Sequence, residues 1–442
     1  MRDWDAIVCD QELLTVEMRA KVDEGSTTPP EPPDGGGEVI NVSGDLAQAI
    51  SAAPAGAILD LGGQSFTSPS LRIDKPLTLR NGEIIAAANV SDLLELRGED
   101  ITLLDLVLRG NGTTKRGISN QAANTVLERV QVRNICREGQ ETQAMAMWDS
   151  PGPLSATDCY FEAGSIGFLA GGSTPTIPNT IATGLTFTRC TFTRPLEWRS
   201  KGYACKNSFE LKCARNVLVD DCEISNAWAQ GQSGYLIQLT PSQYGNSPET
   251  TVENVEFRHC NIHDGAGGVN ALGYSQHQSD PGRETQRGGN YRFIECTINV
   301  SKSYDGHGTA LTWAHSPDGI EWIDNDVTED GDAMRCSDEK PVDNFIYRGG
   351  RVNTTGTYGI WTPQGSRGAA WDKIAPGGIV EGVTFVNAHS TFKSNFPGNT
   401  YETAPVTLSL ALSDADRERF EERAIQDKST LAEAIVTALR AL

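Results

Sequence analysis

One phrase recurs along this chain and limits what it can fold into. It is two alternating apolar residues, two polar residues, a small residue, a polar residue, then an apolar one. It reads Leu185-Thr-Phe-Thr-Arg-Cys190-Thr-Phe192, then Val217-Leu-Val-Asp-Asp-Cys222-Glu-Ile224, then Val255-Glu-Phe-Arg-His-Cys260-Asn-Ile262 and Tyr291-Arg-Phe-Ile-Glu-Cys296-Thr-Ile298. Weaker copies stand at Leu77–Ile84, Ile101–Leu108, Val126–Val132, Leu154–Phe161, Ile320–Val327, Phe345–Val352 and Val380–Phe385. Gly82, Leu106 and Val130 hold the small-residue position at steps of 24, whereas Cys159 and Cys190 are 31 apart. A fixed minimum with variable extra length describes one structural turn decorated with loops. Period-2 stretches broken by Gly, Asn and Asp are strand and turn chemistry. Units this short cannot bury a core alone, so they must stack. The expected fold is all-β, a solenoid of parallel strands whose equivalent positions form ladders at about 4.8 Å.

The ladder accounts for the cysteines. Cys159, Cys190, Cys222, Cys260 and Cys296 share one register, which Val130 fills before them and Asn325 after them. A position that accepts Cys, Val, Leu or Gly is a small buried packing site. Zinc ligands come in close pairs such as C-x2-C, and this chain has none. Reduced, buried thiols are therefore expected.

The phrase, the 24-residue minimum and the inward small-residue ladder resemble the right-handed parallel β-helix, or pectin-lyase-like, superfamily. The best-matching segments are Lys206–Ile224 and Ser233–Pro241, which are similar to bacterial and phage β-helix proteins, tailspikes among them. The resemblance covers residues 39–395. It implies a ligand groove along one parallel sheet, walled by loops such as 137–153, 241–252 and 273–290. The superfamily includes lyases, hydrolases, epimerases and non-enzymatic tail proteins, so the fold alone names no activity.

The ends differ from the middle. Residues 1–24 suggest a short helical head, and 25–38 form a Pro/Gly-rich spacer. The strand-helix-helix pattern of 404–442, with helix starts at Ser413-Asp-Ala-Asp416 and Thr430-Leu-Ala-Glu433, resembles a ribbon–helix–helix module. Its strand, Val406 to Leu412, has no Lys or Arg for phosphate or base contacts, so association or end-capping is expected there. With 37 basic against 58 acidic residues the formal net charge is −21, which argues against nucleic-acid or anionic-membrane binding. No stretch approaches the ~20 apolar residues of a membrane span. Met1-Arg2-Asp3-Trp4-Asp5 opens without an apolar signal core.

Candidate chemistry sits after the phrase. Asp264, Asp305 and Asp330 each precede a Gly in successive turns, with His307 and Asp332 nearby. Clustered carboxylates raise one another's pKa and can divide into acid and base. They would also suit Ca²⁺; no other cofactor or metal is expected. Equally, Asp-Gly is ordinary turn chemistry. Gly306-His307-Gly308 is similar to the Gly-His-Gly of polygalacturonases, but the preceding turn, Gly267 to Gly273, lacks that family's Asp-Asp pair. A pectate-lyase-like base could be Arg335. Tyr235, Gln238, Asn270, Trp313 and Trp361 are candidate sugar-binding residues, although alternation sends about half of any strand inward. A basic run of Arg194, Arg199, Lys201, Lys206, Lys212 and Arg215 would attract an anionic glycan, or would only balance local charge.

The tailspike resemblance implies a homotrimeric virion protein. It would be assembled in the host cytoplasm, held to other virion proteins by its head, and would recognise polysaccharide on the host surface, with cleavage of that polysaccharide as a further expectation left open by the resemblance. A non-enzymatic spike and a bacterial polysaccharide lyase or hydrolase are the alternatives.

Overall fold

The computed structural model describes residues 37–403, apart from 246, 276–282, 339, 355–358 and 363–367. The head, most of the spacer and the strand-helix-helix segment expected at 404–442 lie outside the described residues. The chain divides into a unit ending at Glu402 and a second, Thr403–Leu442.

The first unit is a parallel β-helix. Each coil has three arms. The coil that starts at Ala214 runs through strands Ala214–Asp220, Glu223–Ala227 and Tyr235–Leu239. Every strand-strand register is parallel, joining each arm to the same arm of the next coil. The first two arms merge into one 24-stranded sheet, and the third arms make an 11-stranded sheet. The run extends from Val39 to Glu402, slightly beyond the expected 39–395.

The phrase is the first corner. Its alternating apolar residues point inward and stack coil on coil. Leu185, Val217, Val255, Tyr291 and Ile320 make one buried column, and Phe187, Val219, Phe257, Phe293 and Trp322 make another. Ring meets ring along the axis: Phe257 and Phe293 lie 5.1 Å apart and nearly parallel.

The five cysteines form the expected column. All nine described cysteines are buried, and the five of the column carry free thiols. The thiols of Cys190, Cys222, Cys260 and Cys296 donate to the carbonyls of Ala156, Phe187, Val219 and Phe257, each on the preceding coil. Asn325 continues the series with the same bond, from its Nδ2 to the carbonyl of Phe293 at 2.9 Å. Its Oδ1 accepts from the Cys296 amide. A polar residue fits the column because it takes over the thiol's partner. Burial and the neighbouring sulfurs push the Cys190 thiol well above its usual range, which keeps it protonated.

The residue before the small position is where sequence reasoning was blind. Arg129, Asp158, Arg189, Asp221, His259, Glu295 and Asp324 all adopt φ between 50 and 54°. Left-handed backbone at a non-glycine residue costs about 1–2 kcal/mol. Here the cost is offset by an amide bond to the next coil, as in Arg189 N to Asp220 O at 3.0 Å and Glu295 N to Ile323 O at 2.9 Å. A second left-handed column starts the first arm, where Asn216, Asn254 and Asn290 hydrogen-bond side chain to side chain. Asn tolerates this conformation best among non-glycines.

A helix the sequence reading did not assign, Leu46–Ala52, stands at the amino-terminal end. Asp45 caps it by accepting from the Gln48 amide, and Leu46 and Ile50 are buried. It closes the end of the core, as solenoids require. Arg194, expected among surface cations, is fully buried and donates to the carbonyls of Ala163, Ser165, Asn207 and Asn226 and to Cys205 Sγ.

If the left-handed corner carries strain, branching at Cβ must worsen it. Glu295→Val is expected to lose about 1–2 kcal/mol in equilibrium denaturation, whereas Glu295→Gly holds or gains stability. Equal losses in both variants would show that the corner conformation is not the limiting feature.

Candidate functional site

The third arms alternate like the others. Their inward residues, Phe168, Phe209, Ile237, Val269, Leu311, Met334 and Ile360, are buried without exception. The intervening positions face outward and lie in register along the axis: Glu210, Gln238, Asn270, Thr312, Arg335 and Trp361. Four of the expected site residues thus fall in one row on one face.

The row is internally connected. Asn270 Nδ2 donates to Gln238 Oε1 at 3.1 Å, and Gln238 Nε2 donates to Thr240. Arg335 lies over the Trp361 ring, 4.3 Å from its centroid, a cation–π pair that holds the indole and guanidinium planes together. Tyr235 shares a hydrogen bond of 3.0 Å with the Thr312 hydroxyl, two coils on. To do so its ring crosses Gly267, where a Cβ would come within 2.6 Å of it. Gly267 is a glycine for that reason. Burial raises the Tyr235 phenol, opposed by the Thr312 hydroxyl and Arg335.

Above the first coils of this row is a cleft of about 360 Å³, with Asn207, Glu210, Lys212, Tyr235, Gln238 and Asn270 among its lining. Of these, Asn207 and Glu210 were missed as candidates. The signal was present: in Asn207-Ser-Phe-Glu-Leu-Lys212 the inward Phe209 and Leu211 leave Glu210 on the outer face.

Other candidates are placed differently. Trp313 is fully buried and packs on Phe345; the alternation sends it inward, so it is a core residue and presents no ring to a ligand. The Asp-Gly carboxylates are each already engaged by other groups. Asp264 (φ 59°) accepts from the Tyr304 hydroxyl at 2.7 Å and pairs with His263; although burial works to raise it, these partners hold it below the usual carboxylate range. Asp305 (φ 67°) is mostly exposed and pairs with Arg199 at 2.5 Å. Asp330 accepts from the Ser301 hydroxyl and the Lys302 amide. Each is engaged by a partner from another turn. Among the described residues no group of three or more His, Cys, Asp or Glu could hold a metal ion.

His307 borders the row. Its turn stacks in register, with Gly308 N bonded to Ala266 O and Gly331 N to Gly308 O, which brings the Asp330–Asp332 turn directly over it. Desolvation, then the charges of Arg335 and Lys302, hold its imidazole below the usual range, so it is neutral at pH 7. Most of the basic run is engaged: Arg199 pairs with Asp305, Lys206 with Glu141, Lys212 with Glu210 and Arg215 with Glu253, Arg194 is inside, and Lys201 is exposed.

Glu329 was not foreseen. It occupies an inward position, 2% exposed, between Val300 and Thr354 of the adjoining coils. Burial pushes its carboxyl up to about 8, helped by Asp332 and Asp330 and opposed by the Thr354 hydroxyl and Lys302.

No family model matches the chain, and no curated protein matches it. Solved structures similar to it include the A-module of a mannuronan C-5 epimerase from Azotobacter vinelandii, 12% identical with TM-score 0.40, covering 83% of this chain and 92% of that one. Another is the Dettilon tailspike protein, at 10% identity and TM-score 0.40, covering 87% and 74%. A third is the catalytic unit of a thermostable α-1,3-glucanase from Streptomyces thermodiastaticus, at 13% and 0.38, covering 89% and 72%. The parallel β-helix itself stands on the strand pairing.

The Glu329 shift has a testable sign. The free carboxyl titrates near 4.5 and the folded one near 8, so between those values the native state keeps a proton that the unfolded chain has released. Stability then falls as pH rises through that window, by up to about 1.4 kcal/mol per pH unit. Glu329→Gln should raise the thermal midpoint at pH 8 by more than at pH 5. An equal change at both would remove Glu329 as the source.

Proposed function

We propose that this protein binds a polysaccharide along the outer face of its third-arm sheet. The observation that supports it is the in-register row from Glu210 to Trp361. It sets two planar amides, Gln238 and Asn270, at strand spacing and ends in an indole stacked on a guanidinium. A polymer of similar units is the ligand that such a repeating polar face suits. Sugar rings take amide hydrogen bonds at their edges and an aromatic ring at their face.

The finer reading is that the glycan is a bacterial surface polysaccharide and the protein a homotrimeric phage tailspike or tail fibre. It is supported by the likeness of Lys206–Ile224 and Ser233–Pro241 to phage β-helix segments. One observation favours cleavage in addition to binding: His307, neutral at pH 7, lies within the field of Arg335 at the edge of the row. A neutral imidazole beside a fixed cation can accept a proton from a bound sugar.

Affinity electrophoresis of the full chain in gels containing capsule, lipopolysaccharide or defined glycans tests the reading, with chromatography for shortened or unsaturated products. Trp361→Ala is expected to weaken retardation at least about tenfold, the order of one lost aromatic contact. Asp305→Asn, whose carboxylate is paired with Arg199 and lies outside the row, should leave binding unchanged. Retention by no glycan, or full retention of Trp361→Ala, would refute the assignment.

A further inference from the structure

The cleft at the Glu210 end of the row has an unusual floor. The Glu210 side chain is 2% exposed, and its Oε2 has no hydrogen-bond partner. Asn207, 1% exposed, donates through Nδ2 to the carbonyl of Tyr235 at 3.1 Å, while its Oδ1 also lacks a partner. Both residues line the cleft. Two buried acceptors without donors are costly to keep. The nearest cation, Lys212, reaches only the other Glu210 oxygen, at 3.5 Å, and does so on a flexible stem that can turn aside.

From these residues we infer that the cleft is a selective subsite for an uncharged, hydroxyl-bearing sugar unit, whose O–H groups donate to Glu210 Oε2 and Asn207 Oδ1. The inference rests on the glycan-binding reading and deepens it. A carboxylate-bearing sugar would bring more acceptors, and a negative charge, against a floor that already has both. The surrounding cations do not reverse this. Lys206, Lys212 and Arg215 each face a glutamate, and Arg194 is buried among carbonyls. The amides of Gln238 and Asn270 extend the same uncharged recognition to the next units along the axis.

The test compares uncharged polymers (dextran, mannan, galactan) with uronate polymers (alginate, polygalacturonate) for binding to the intact chain, and repeats the comparison with Glu210→Gln. The change is nearly isosteric and replaces an acceptor oxygen with a donor. The wild type should favour at least one uncharged polymer over every uronate polymer by about tenfold or more, and Glu210→Gln should reduce that ratio severalfold. The ratio does not depend on how much of the variant folds, and circular dichroism melting checks folding separately. Uronate binding as tight as the best uncharged polymer, or a ratio unchanged in Glu210→Gln, would overturn the subsite while leaving the glycan-binding face standing. Binding to no polymer at all would overturn both.

Discussion

In-register stacking of parallel coils is the constraint from which the rest of this molecule follows. Each arm hydrogen-bonds to the same arm of the coil before and after it, so a side chain at one position has that position's occupants as its neighbours. Whatever a position does must be done repeatedly. Apolar positions become continuous columns, thiols become a column that bonds to carbonyls one coil back, and left-handed corners become a column of residues whose amides all reach the next coil. The departure at Asn325 respects the same rule, since it supplies the bond its column expects.

Stacking also explains how an acidic chain tolerates its charge. From Asp105 through Arg129, Asp158 and Arg189 to Asp221 the exposed first-corner side chains of successive coils alternate in sign, with Arg129 paired to Asp105 and Arg189 to Asp158. Each exposed pair is worth little alone, but placing opposite signs at strand spacing avoids the repulsion that a uniform column would build. The same pairing occupies most of the local basic run, which therefore does not make a free positive surface. Buried charge is handled differently. Arg194 meets its donors' needs with carbonyl oxygens and Cys205, and Glu329 stays protonated to avoid a charge.

On the third-arm face the repetition turns outward. Regular backbone places Gln238, Asn270, Thr312 and Arg335 at equal intervals without any loop having to position them, and a rigid scaffold is what a repeating ligand can exploit. The buried acceptors of the cleft sit at one end of that row, where unsatisfied polarity is retained at a cost to stability, a pattern common to binding sites.

Period-2 alternation, the 24-residue minimum and the recurring small position were enough to specify parallel coils and the thiol column, because each is a property of spacing along one chain. Spacing could not separate Trp313 from Trp361, since both stand in strands of the same arm and only the register decides which ring faces the core. Nor could it show that the Asp-Gly carboxylates are consumed by Tyr304, Arg199 and Ser301, partners contributed by other turns. Glu210, Asn207 and Glu329 acquire their character from burial, and burial is created by neighbouring coils that lie tens of residues away. The tertiary structure alone decided which polar groups were left without partners, because hydrogen-bond satisfaction is settled between coils and not along them.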